Sequence, residues 1–133
     1  MNLSDVWYNA LENLTQKQIR TYHVRIGHEQ LNFYPKDIIR IEADGSYSQI
    51  ITDSKKYTLS RNLKYIEGII HGWGFIRINR SCIVNVIHIQ KVDKRALKII
   101  MSDNVSIKIP RRLKHRIVQK LQFISKSAHL HLF

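Results

Sequence analysis

From Tyr22 onward the chain alternates apolar and polar residues in short runs, and turn-forming residues separate the runs. Tyr22-His23-Val24-Arg25-Ile26 and Gln30-Leu31-Asn32-Phe33-Tyr34 flank Gly27-His28-Glu29, and Ile38 to Ala43 and Ser46 to Thr52 flank Asp44-Gly45. A period of two sends successive side chains to opposite faces of a strand, and glycine supplies the left-handed backbone of a tight reversal. The pattern predicts two β-hairpins, broken apart by Pro35-Lys36-Asp37. Tyr57-Thr58-Leu59 adds a short strand, after which Ser60 is the candidate cap of a helix with Leu63, Ile66, Ile69 and Ile70 on its apolar face, ended by Gly72-Trp73-Gly74. Strands follow at Phe75 to Ile78, Ile83 to Val92, Leu97 to Met101 and Val105 to Ile109. Asn85, polar at the end of an apolar run, is expected to stabilise the next turn through side-chain hydrogen bonds. Pro110 suits a helix start, where a missing N–H costs least, and Leu113, Ile117, Leu121 and Ile124 form the stripe of that last helix. Many short strands with few helices predict a mainly β fold of antiparallel sheets with two short peripheral helices, rather than a parallel α/β sheet.

The chain of 133 residues fits one domain with short appendages. Residues 1–21 read as an amphipathic N-terminal helix or linker, with Val6, Trp7, Ala10, Leu11, Leu14 and Ile19 mostly at helical spacing and Ser4 as its candidate cap. Residues 22–125 form the domain, and 126–133 a tail expected to be frayed or incidentally packed. The formal net charge is +12, and all of the excess lies beyond residue 20. So basic a chain is expected to seek a polyanion. No apolar run reaches the roughly 18 residues that span a bilayer, and no secretory signal is present, so a cytoplasmic protein is expected. The lone Cys82 lies in an apolar strand and reads as a small hydrophobe.

Catalytic patterns are missing, and an enzyme is not expected. Glu42 and Asp44 are better explained by the Asp-Gly turn than as paired carboxylates. His129 and His131 lack further ligands for a metal site, and neither a metal nor a cofactor is expected. Basic residues instead collect at strand ends and turns: Arg77, Asn79 and Arg80; Lys94 and Arg95; Lys108, Arg111, Arg112 and Lys114. Arginine can grip phosphate or fork two donors onto guanine, and asparagine can pair in two points with adenine.

Ile41-Glu42-Ala43-Asp44-Gly45-Ser46-Tyr47 resembles the IEADG-x-Y signature of the LytTR-type DNA-binding domain, common at the C-terminus of bacterial response regulators. "YTLSRNLKYIE", "FIRINRSCIVNVIHIQKV" and "VSIKIPRRLKHRI" resemble the family's later motifs in order, so that the likeness runs from about residue 22 to 121. It implies an elongated arrangement of antiparallel sheets that binds double-stranded DNA through loops in successive major grooves, at direct-repeat sites, with a homodimer on DNA left open. Carried over residue by residue, base reading falls on or near Ser48, Arg80 and Arg111. Contacts at or near the DNA backbone fall on Arg77, Asn79, Arg95, Ile109 through its main chain, and Arg112, with Tyr47, Lys108 and Lys114 nearby. Two positions depart from the family pattern: Asn79 stands where His is usual, and Pro110 where Ser is usual. A receiver domain would not fit before residue 22, so control is expected to come from elsewhere. Alternative partners for so basic a chain are RNA, an anionic membrane met by the last helix, or a partner protein. "SYSQI" lacks the paired aromatics of an RNA-stacking platform, and no membrane is expected.

Overall fold

In the computed structural model, residues 21–133 are described, and the N-terminal helix expected from Val6 to Leu14 lies outside the described residues. Among the described residues ten strands form three antiparallel sheets. β1 (Tyr22–Ile26) and β2 (Glu29–Phe33) make a hairpin of their own. The central sheet has five strands in the order β5-β4-β3-β7-β6, from β3 (Arg40–Asp44), β4 (Tyr47–Ile51), β5 (Lys56–Leu59), β6 (Phe75–Asn79) and β7 (Cys82–Asn85). β8 (Ile89–Asp93), β9 (Lys98–Met101) and β10 (Ser106–Lys108) form the third sheet, with β9 in the middle. Helix α1 (Leu63–Ile69) links β5 to β6, and α2 (Lys114–Ser127) follows β10.

The central sheet is covered on both faces. Ile41, Ile50, Leu59 and Ile83 meet the first hairpin and α1, while Ile76, Ile78, Cys82 and Val84 meet the third sheet and α2. β7 therefore buries every residue, which is why Cys82-Ile83-Val84 reads as an unbroken apolar run with no alternation. Cys82 shares this dry setting: burial pushes its thiol up to about 12, Glu42 adding to the rise and Arg40 opposing it. It packs as a hydrophobe.

Both predicted hairpins are present, with the turns at Gly27-His28 and Gly45-Ser46. Gly45 has φ 62°, a backbone that an L side chain adopts only with strain. Other expectations shift. Asn62, not Ser60, caps α1, its Oδ1 accepting from the Tyr65 N–H at 2.9 Å. Leu63, Ile66 and Ile70 are buried, whereas Ile69 is exposed. At 100° per residue Ile69 stands well off the face that the other three share. The run from Ile83 to Val92 is not one strand. Asn85 ends it, and a 3-10 turn at Val86–His88 precedes β8. As expected, Asn85 serves that turn: its Oδ1 accepts from the Ile87 N–H, and its Nδ2 donates to the carbonyls of Pro35 and Ile38 at 2.7 and 2.9 Å. Pro110 stays extended before a 3-10 turn at Arg111–Leu113, and α2 begins only at Lys114. The final residues are integrated rather than frayed: Leu130 and Leu132 join the core, and the Leu132 carbonyl accepts from the Val92 N–H on β8.

One buried charge bridges the sheets. Arg40, on β3, is 4% exposed, with Nε donating to Glu42 Oε1 at 2.7 Å and Nη1 to Asp103 Oδ2 in the β9–β10 turn. Burial raises the Asp103 carboxyl, but the hydrogen bond from Arg40 and its charge outweigh that and hold it below the ordinary carboxylate range. A depressed carboxylate binds its proton less readily when folded, so its contribution is present above the unfolded value of about 3.9 and is lost as pH falls through the lower folded value. Asp103→Asn is expected to flatten the acid limb of a urea-midpoint against pH curve below about pH 4. An unchanged limb would place the acid sensitivity on other carboxylates.

Candidate nucleic-acid interface

Four chain reversals share one end of the molecule. The β3–β4 hairpin tip (44–47) adjoins the β6–β7 turn, because the Ala43 N–H donates to the Ser81 carbonyl at 2.9 Å. The β6–β7 turn is tied to the end of β10, where Asn79 Nδ2 donates to the Lys108 carbonyl at 2.8 Å. The next N–H along, that of Ile109, donates to the Leu97 carbonyl at 2.8 Å and so fastens the β8–β9 turn to the same segment. Arg40 with Asp103 pins the opposite end of the third sheet, so that sheet is held to the central one at both ends.

Three of these reversals carry basic residues, and the hairpin tip carries none. Asp93 Oδ1 accepts from the N–H groups of Arg95 and Ala96 at 3.1 and 2.9 Å, fixing the turn that carries Arg95. These bonds draw the Asp93 carboxyl below its usual range, the one from Ala96 most, against a smaller opposing effect of burial. Arg80, Arg95, Lys108, Arg111, Arg112 and Lys114 are all exposed, and the first five line one open concavity with Asn79, Ser81 and Pro110. Arg80 and Arg111, expected to read bases, are thus brought together, with Arg95, Lys108 and Arg112 beside them. Tyr47, half exposed, stands at the hairpin tip.

Four expected site residues are placed differently. Ser48 is fully buried, and its hydroxyl donates to the Arg61 carbonyl at 2.7 Å, so it fastens the hairpin to the β5–α1 connection and presents nothing to the surface. It lies two residues from Ile50 on β4, and period two puts both on the buried face. The Ile109 side chain is buried and its N–H is committed to Leu97, so its main chain offers no free donor. Arg77 turns back on the chain. Its Nε donates to the Asn79 carbonyl at 3.2 Å, Nη2 to the Arg80 carbonyl at 2.8 Å and Nη1 to Glu67 Oε1 at 3.2 Å. Asn79 is also structural, accepting from the Ser81 N–H at 2.8 Å while it donates to Lys108. Where a histidine is usual, an amide here supplies donor and acceptor at once.

One exposed cation escaped the sequence reading. Arg61 follows β5, whose Leu59 pairs with Ser48 near the hairpin tip, and its guanidinium lies 4.5 Å from the centroid of the Tyr65 ring. Its position between a strand and a helix, like that of Arg111, is the signal that could have found it. In α2, Ile117 and Leu121 are buried in the core, so the stripe that could have met a lipid surface is already covered. No helix among the described residues is long and apolar enough to cross a membrane, and no cluster of metal-binding side chains occurs among them.

Comparison with known proteins agrees with this geometry. A solved LytTr DNA-binding domain of a putative methyl-accepting/DNA response regulator from Bacillus cereus superposes with a TM-score of 0.62 over 77% of this chain and 95% of that one; at 19% identity this is a likeness of fold. Residues of this chain are also 28% identical over 78 positions to the heme-containing CO-sensing transcriptional regulator RcoM 2 of Paraburkholderia xenovorans. That match takes in 56% of this chain and 29% of the regulator, so the chain spans under a third of that relative's length. The model of the LytTr DNA-binding domain matches residues 28–122, most of the chain, and with its three antiparallel sheets and converging basic turns the chain belongs to the LytTr DNA-binding domain family.

Proposed function

We propose that this domain binds double-stranded DNA with sequence preference in the control of transcription, and that its basic end is the reading surface. Arg80 and Arg111 address base edges in the major groove, while Arg95, Lys108, Arg112 and Lys114 grip flanking phosphates. The observation that carries this reading is the tie between three basic turns at the Lys108-Ile109 segment. Arginine discriminates guanine only when its forked donors arrive at a defined place, and a turn that ordered only on contact would lose binding energy to that ordering. Ser48 supports the hairpin from within, which leaves Tyr47 and the exposed tip to meet the duplex. Arg61 extends the basic edge on the far side of that hairpin. Sites in direct repeat, with one copy of the domain on each, are the arrangement that the family resemblance implies.

Selection of bound sequences from a random duplex pool tests this directly, with single-stranded RNA and anionic vesicles as competitors. Enrichment of a short motif that neither competitor displaces is the expected result. Salt-sensitive binding without enrichment would reduce the surface to a grip on the backbone. Within the same titrations, Lys114→Ala is expected to weaken all sequences alike and make the slope of log affinity against log salt shallower by about one.

A further inference from the structure

Helix α1 sets an acid beside this cationic surface. Glu67 lines the groove between β6 and α2 together with Arg77, Arg80, Arg112 and Arg116, where its charge opposes the approach of phosphate. Stability gives it little reason to be there, because the side chains of Glu67 and Arg77 are 44% and 27% exposed and ion pairs so wet contribute little. The turn it serves offers a better one. Arg80 and Ser81 join Asn79 to Cys82 as a two-residue reversal, yet neither has the positive φ that such hairpins favour. The register also slips between Arg77 and Asn79. A turn with so little backbone preference takes its shape from the groups that hold it. Arg77 clasps the carbonyls of Asn79 and Arg80, and Glu67 occupies its remaining outer nitrogen.

We propose that Glu67 is a positioning residue for sequence readout, fixing the Arg77 fork on the turn so that the Arg80 side chain is delivered to one place. This rests on the reading of Arg80 as a base-contacting residue. Without Glu67, Arg77 has a free donor and an open path to phosphate, and the domain exchanges discrimination for unspecific grip.

The test uses the full chain, the duplex enriched by selection, and the same duplex altered at the base whose preference Arg80→Ala relaxes. Glu67→Ala is expected to lower the affinity ratio of the two duplexes about tenfold, and to steepen the salt slope by about one as Arg77 turns to phosphate. Glu67→Gln, which keeps an acceptor for Arg77 but no charge, is expected to hold the ratio within about twofold of the parent. If both variants instead bind both duplexes more tightly with an unchanged ratio, Glu67 only repels DNA and the proposal fails. Thermal unfolding monitors the fold. Should Glu67→Ala not fold, Arg77→Lys removes the three-way clasp while keeping the charge, and an unchanged ratio in that variant is equally fatal. If Arg80→Ala relaxes no base position, the reading of Arg80 itself is overturned, a result distinct from failure of Glu67 alone.

Discussion

Replacing Asn85 with leucine lowers the stability of the domain by about 3 kcal/mol, enough to drop its melting temperature by roughly 10 °C or more. The amide is 1% exposed and satisfies three main-chain groups at once: the carbonyls of Pro35 and Ile38, distant in sequence, and the N–H of Ile87. Leucine fills a similar volume but strands the Ile38 carbonyl and the Ile87 N–H and leaves the Pro35 carbonyl with only the Ile38 N–H at 3.2 Å, and a buried polar group without a partner costs about 1–3 kcal/mol. Asn85→Asp separates the two functions, since it keeps an acceptor for Ile87 and removes both donors. It is expected to fall short of the parent as well, by placing a carboxylate against two carbonyl oxygens. Urea denaturation of both variants at neutral pH checks this, and a loss under about 0.5 kcal/mol for Asn85→Leu would show that the three groups find other partners.

On the selected duplex, Arg80→Ala or Arg111→Ala is expected to cost about 1–3 kcal/mol, or roughly 5- to 150-fold in affinity, and to relax preference at one base position. Neither arginine supports the fold with its side chain in any hydrogen bond or ion pair described above, so both variants should melt with the parent. Ser48→Ala makes the contrast. Its hydroxyl spans from β4 to the Arg61 carbonyl, and its loss is expected to cost about 1 kcal/mol of stability while base preference stays where it was. A binding-site selection repeated on each variant distinguishes the three. Loss of preference at a base in Ser48→Ala, with stability intact, would return that residue to the reading surface.

Much of the architecture was legible because it rests on local rules. Gly27 and Gly45 mark the hairpins by their backbone alone, and Asn85 announced its role by being polar at the close of an apolar run. That Arg80 and Arg111 sit in exposed chain reversals was legible as well, because the strand pattern places the reversals around them. The interior wiring was not. That Arg77 clasps the turn rather than facing outward depends on Glu67, which arrives from a helix earlier in the chain, and no spacing rule connects the two. Asn79 meets a carbonyl at Lys108 only because the third sheet folds back beside β6. Two signals were available and passed over. Ser48 shares the face of Ile50, and in the last residues the alternation that drew notice to His129 and His131 equally placed Leu130 and Leu132 on the opposite, buried side.

The ties at Leu97, Lys108 and Ile109 are made on those residues by peptide groups, with Asn79 the sole side chain spent on them. Exchanging a side chain at Arg95, Lys108, Arg111 or Arg112 therefore leaves the frame bolted as before. A lineage carrying such a domain could try new target sites one residue at a time without first losing the fold, and mutational tolerance should be broad at those four positions and narrow at Asn79.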